Sequence, residues 1–103
     1  MQDKMDKKEI LEYFNGKFGT RLSSRMRKLG EEYAELVDAV NSGRREDIVD
    51  ELADLNAVLF HIAGILGLTQ DELLDMAVDK VKGREKDPNY KRKHPHVRNV
   101  GAE

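Results

Sequence analysis

From about residue 24 to residue 84 the apolar side chains return every three or four positions, and nowhere in the chain do they alternate convincingly with polar ones as in a strand. A three-to-four repeat puts one apolar stripe on each helix, so the chain has to bury its stripes by packing helix on helix. The stripe of one helix, over about 24 to 41, reads Met26, Leu29, Tyr33, Leu36, Val37 and Val40. Ser23 or Ser24 is its candidate N-cap and Gly43 closes it. The next helix, over about 46 to 66, carries Ile48, Leu52, Leu55, Val58, Leu59, Ile62 and Leu66. Its second half adds Ala57, Phe60, Ala63 and Ile65, which makes it apolar nearly all round. That pattern predicts a central helix touching both its own subunit and a partner chain.

Two further helices flank this pair. The first is predicted over about 4 to 14, with Ile10, Leu11 and Phe14 as its stripe and Asn15-Gly16 as its stop signal. The last opens on a capping box, Thr69 with Glu72, with Leu68 and Leu73 at the hydrophobic-staple positions and Gly67 ending the helix before it. Leu73, Leu74, Ala77, Val78 and Val81 carry it to about residue 84. After Asp87-Pro88 apolar residues are few, and 88 to 103 reads as a basic arm or tail. The expected fold is therefore all-α: about four helices in an antiparallel bundle over 1 to 87, with an extended basic C-terminal arm over 88 to 103. A chain of 103 residues buries only a modest core, so oligomerisation as a homodimer or homotetramer is expected to complete the bundle.

Charged residues make up 37% of the chain and its mean hydropathy is -0.69, yet the apolar residues are patterned and not diluted, as a folded soluble protein requires. There is no cysteine, which excludes disulfides, thiolate metal sites and a cysteine nucleophile. No stretch approaches the roughly twenty apolar residues of a membrane span, and the N-terminus opens on alternating charges, so a cytoplasmic protein is expected. The net charge of -2 conceals a separation. Residues 31 to 54 set nine acids against Arg44 and Arg45, a block of net -7, whereas residues 80 to 98 set eight basic side chains against Glu85 and Asp87, net +6. Such blocks read either as solvated surface or as an acidic metal cradle beside a basic phosphate-contacting arm.

The acidic block contains two pairs at helical spacing, Glu32 with Glu35 and Glu51 with Asp54. Residues three apart lie on one face of a helix, and both pairs border the apolar stripe of their helix, where carboxylates are partly desolvated. Packing the two helices side by side would gather four carboxylates, which need a compensating cation; hard divalent ions take oxygen ligands. Magnesium keeps waters or substrate phosphates in its shell, which points to phosphate chemistry without any glycine-rich phosphate loop. The remaining polar and aromatic residues in the stripes read more simply. His61, among apolar neighbours, reads as a core or interface histidine satisfied by one hydrogen bond. Tyr33 and Phe60 read as core packing, with stacking on a base as the other option. His94 and His96 offer at most a stray surface metal contact.

The run Lys28-Leu29-Gly30-Glu31-Glu32-Tyr33-Ala34-Glu35-Leu36, followed by Asp50-Glu51-Leu52-Ala53-Asp54-Leu55, resembles the EExxE and ExxD motifs of the MazG-like all-α nucleotide pyrophosphohydrolases. That superfamily includes phosphoribosyl-ATP pyrophosphohydrolase and the dimeric dUTPases, and the similarity covers about residues 24 to 84. The resemblance implies a magnesium-dependent hydrolase, with manganese as a possible substitute, that cleaves a nucleoside triphosphate between the α and β phosphates. Glu32, Glu35, Glu51 and Asp54 match the family's metal ligands. Glu31 matches the acid that orients or deprotonates the attacking water. Lys28 matches a basic residue on substrate phosphate, and Lys80 and Arg84 resemble the basic pair late in the last helix. Those two also suit a simpler role, complementing the dipole at a helix C-terminus. Gly83, just before Arg84, is a departure that could end the helix early. Two alternatives stand beside this reading: phosphoribosyl-ATP as the substrate for the same chemistry, or a non-enzymatic helical interaction module. Nucleic acid and membrane are not expected partners.

Overall fold

The computed structural model describes residues 4–89. Four helices follow in order: α1 (Lys7–Phe18), α2 (Leu22–Ser42), α3 (Arg45–Ile65) and α4 (Gln70–Glu85), with no strand among the described residues. The fold is all-α. The chain divides after Gln70 into two compact units, the first holding α1 to α3 and the second nearly all of α4. The basic arm expected from residue 88 lies, from residue 90 onward, outside the described residues.

α1 starts later and runs longer than its sequence suggests. Asp6 caps it in a reciprocal box: the Glu9 backbone N–H donates to Asp6 Oδ1 at 2.8 Å, and the Asp6 backbone N–H to Glu9 Oε1 at 3.4 Å. Asn15-Gly16 does not stop it. A mid-helix glycine costs about 1 kcal/mol relative to alanine, a penalty that tertiary contacts of the last turn can outweigh. Phe14 and Phe18 pack with tilted rings, centroids 5.8 Å apart, and Asn15 hydrogen-bonds His61 on α3. The helix ends at Gly19, whose N–H donates to the Asn15 carbonyl at 2.9 Å.

α2 begins at Leu22, before either candidate serine cap, and its flanking residue Arg21 makes no side-chain cap bond. It ends where expected, at Gly43, whose left-handed backbone (φ 75°, ψ 6°) suits a residue without Cβ. Only Gly43 and Arg44 separate α2 from α3, so the two form an αα-hairpin and pack along each other. α1 packs on α3 as well. At Gly64 the Leu11 side chain of α1 occupies the space a Cβ would need. α4 starts directly after Thr69 and continues through Gly83 to Glu85, so that glycine does not end it early.

The core is thin. Among the described residues Ala39, Val58 and Ala63 are the buried hydrophobic ones, and Arg25, Glu32 and His61 are also buried. Much of the expected stripe is instead exposed on the isolated chain, including Met26, Val37, Val40, Leu52 and Leu59. Tyr33, expected in the core, is 62% exposed. No single described helix is long and apolar enough to cross a membrane.

Candidate active site

Arg25, Lys28, Glu32 and Glu35 recur at helical intervals along one side of α2, and Glu51 and Asp54 lie one turn apart on α3. Hairpin packing brings the two acidic pairs together. One carboxylate oxygen from each of Glu32, Glu35, Glu51 and Asp54 lies within 4.8 Å of the others. Glu32 is buried, Glu51 half-buried, and Glu35 and Asp54 exposed, so the group sits at the mouth of the hairpin seam.

The two more buried acids are incompletely satisfied. Lys28 Nζ stands 3.2 Å from Glu32 Oε1 and 3.5 Å from Glu31 Oε2, so Lys28 neutralises one side of Glu32. Glu32 Oε2 is buried with no hydrogen-bond partner, and Glu51 Oε2 is in the same condition. Burial raises the Glu51 pKa above the ordinary carboxyl value, with a hydrogen bond to Glu35 and the charges of Glu35, Asp54 and Asp50 adding to it. Carboxylates crowded in this way are relieved when a proton or a cation joins them. The Lys28 pKa is raised as well, chiefly by hydrogen bonding and charge attraction to Glu32, which favours its charged form.

This donor set fits a hard divalent ion. Opposite oxygens of an octahedral magnesium shell are about 4.2 Å apart, from metal–oxygen distances of about 2.0 to 2.1 Å. The observed spread of 4.8 Å exceeds that by a fraction of an ångström, within reach of small side-chain rotations. Two unpartnered buried oxygens are what such an ion would satisfy.

Beside the acids lies a cleft of about 260 Å³. Glu32 and Asp54 line its acidic end, Phe14 and Phe18 form apolar wall, and Arg25 and His61 add buried polar groups. Over residues 20–88, two thirds of the chain, the sequence matches the model of the MazG nucleotide pyrophosphohydrolase domain. The chain belongs to the MazG family. Comparison with curated proteins and with solved structures gave no match.

Glu31, Lys80 and Arg84 were also singled out for this MazG domain. Glu31 stands outside the four-carboxylate group, its side chain 57% exposed and turned to Lys28. Lys80 and Arg84 lie one turn apart, exposed, on α4 in the second unit. Sequence reasoning assigned no role to Arg25, Asn15 or Phe18. A signal for Arg25 was present, since it precedes Lys28 by three and Glu32 by seven and so shares their helix face. Asn15 and Phe18 were hidden because α1 was expected to end at Asn15. His61 is buried with one hydrogen bond, as expected, but it also lines the cleft.

Proposed function

We propose that this MazG domain hydrolyses nucleoside triphosphates between the α and β phosphates, giving a nucleoside monophosphate and pyrophosphate, with magnesium held by Glu32, Glu35, Glu51 and Asp54. The observation that carries this reading is the convergence of four carboxylates from α2 and α3 to within 4.8 Å, two of them with a buried, unpartnered oxygen. When bound, magnesium, or manganese in its place, supplies Lewis-acid polarisation of phosphate oxygens and water. The chain's own residues do the rest. The four acids fix the position of the cation and so of the polyphosphate, while Glu31, at the solvent edge, orients the attacking water and accepts its proton. Lys28 has three N–H donors, enough to keep Glu31 and Glu32 and still reach a phosphate oxygen. By their resemblance to the family's late basic pair, Lys80 and Arg84 would be the residues that offset charge on the departing pyrophosphate.

The same proposal includes a homo-oligomer, dimer or tetramer. Val49, Leu52, Leu55 and Leu59 of α3 line an open groove of about 470 Å³, an apolar surface that a second copy of the hairpin would cover.

The deciding experiment measures pyrophosphate release from ribo- and deoxynucleoside triphosphates with magnesium, for the parent and for Glu35→Gln and Asp54→Asn. Each variant is expected to lose roughly 100-fold or more, since even outer-shell partners of a metal cost 10- to 100-fold. Equal rates in parent and variants would rule out the site. Salt-sensitive nucleic-acid binding with no hydrolysis would replace the enzyme by an interaction module.

A further inference from the structure

The MazG-type chemistry accounts for the acids but not for two buried groups in the neighbouring cleft. Arg25 is 8% exposed and its Nε has no hydrogen-bond partner; His61 is 1% exposed and its Nδ1 has none. Both side chains line the cleft, and each is held in place by its other contacts. The Arg25 guanidinium carbon sits 4.7 Å from the centre of the Phe18 ring, a cation–π contact that fixes the guanidinium group. His61 Nε2 lies 2.9 Å from Asn15 Oδ1, and its ring is 5.7 Å from that of Phe14.

These contacts define what each group offers. With Asn15 Oδ1 accepting, the ring proton of His61 is on Nε2. Burial, and then the Arg25 charge, lower the His61 pKa, so the imidazole is neutral and Nδ1 is a bare acceptor. Arg25 Nε–H is a donor. Buried donors and acceptors are rarely left without partners, so a donor and an acceptor left unpartnered on two side chains that line one aromatic-walled cleft suit a planar ligand carrying the complementary pair. A volume of about 260 Å³ falls below the roughly 300 to 1,000 Å³ of pockets for drug-sized molecules, so it suits a fragment of a ligand whose remainder extends outside. Glu32 and Asp54 belong both to this cleft and to the four-acid group, so that remainder lies at the candidate metal centre.

We propose that Arg25 and His61 read the hydrogen-bonding edge of the substrate's nucleobase, with Arg25 Nε–H donating to a base acceptor and His61 Nδ1 accepting from an adjacent base N–H. This inference rests on the proposed triphosphate hydrolysis for the identity of the ligand. The base lies along the apolar wall to which Phe14 and Phe18 contribute, and its phosphates extend toward the acids. Arg25 and His61 are thereby specificity-determining residues, distinct in role from the four carboxylates.

The test reads the base pocket without metal or turnover. The ¹⁵N resonances of the His61 ring, assigned by their loss in His61→Gln, are followed in the parent chain while uridine, cytidine, adenosine or guanosine is added without magnesium. At least one nucleoside is expected to shift them saturably. The same nucleoside methylated at its edge N–H is expected to bind at least about tenfold more weakly, because a site built to hydrogen-bond a group rejects analogues lacking it. Ribose 5-phosphate is expected to leave the resonances in place. No shift with any nucleoside, equal binding of the methylated form, or the same shift with ribose 5-phosphate would each overturn the pocket. A chain that hydrolyses triphosphates without a His61 response loses this inference alone. One that binds nucleoside at His61 but hydrolyses no triphosphate loses the proposed reaction and keeps the pocket.

Discussion

Glu51 concentrates the electrostatic conflict of the site in one side chain. Its raised pKa means that the folded, metal-free chain holds a proton there at pH values where the unfolded chain has released it. The associated stability is complete below the ordinary value of 4.5 and is lost as the pH rises through the raised value. At neutral pH the ionised carboxylate faces Glu35, Asp54 and Asp50 unfavourably. Glu51→Gln is therefore expected to melt higher than the parent at pH 7 without metal, with the gain shrinking as the pH approaches 4.5. Saturating magnesium should reverse the order, because ligand at 100 times its Kd stabilises the parent by about 2.7 kcal/mol. Thermal melts across pH, with and without magnesium, test both signs. His61 works in the opposite sense: its lowered pKa withdraws stability as the pH falls below 6.5, so the parent–variant difference is the quantity to compare.

Among the elements, α1 is where local chemistry and tertiary contact compete most openly. Its start rests on the Asp6–Glu9 box, and Asp6→Ala should cost about 1 kcal/mol in denaturant unfolding. Two helix glycines give a contrast of packing. A Cβ at Gly30 of α2 meets nothing within 4 Å, so Gly30→Ala should stabilise by about 0.5 to 1 kcal/mol. A Cβ at Gly64 of α3 meets the Leu11 side chain of α1, so Gly64→Ala should forfeit that gain and lose about 1 kcal/mol through overpacking. Equal stability of the two alanine variants would show that Leu11 moves aside freely. The elements also show what was legible in advance. The end of α2 at Gly43 follows from local turn chemistry, and α4 starts directly after Thr69, where the sequence places it. The end of α1 does not, because Phe14, Asn15 and Phe18 are held by α2 and α3 residues distant in sequence.

For the molecule as a whole, the exposed apolar stripe sets the expectation. Among the described residues three small or medium hydrophobic side chains make a meagre buried core, while Met26 (55%), Val40 (54%) and Leu52 (52%) stand open on the isolated chain. Apolar area removed from water is worth about 25 cal/mol per Å², so covering this face by a second copy is the readiest gain in stability. Light scattering is expected to give a multiple of 11.8 kDa for the parent and a single chain for Leu52→Glu. A monomeric parent at micromolar concentration would refute the assembly. Metal binding by the Leu52→Glu monomer should persist, since one chain supplies all four carboxylates.

Helical class, the hairpin of α2 and α3, and the two acidic pairs were all determined by the order of residues, because periodicity and three-residue spacing act within a single helix. Which oxygens converge, which remain without a partner, and how Phe14, Phe18, Arg25 and His61 close a cleft beside them were decided only by tertiary packing. Those relations join residues up to 46 positions apart, as in the Asn15–His61 hydrogen bond, and depend on how far a helix runs and how it is rotated against its neighbour. No pattern along the chain encodes that rotation; contact between the packed helices sets it.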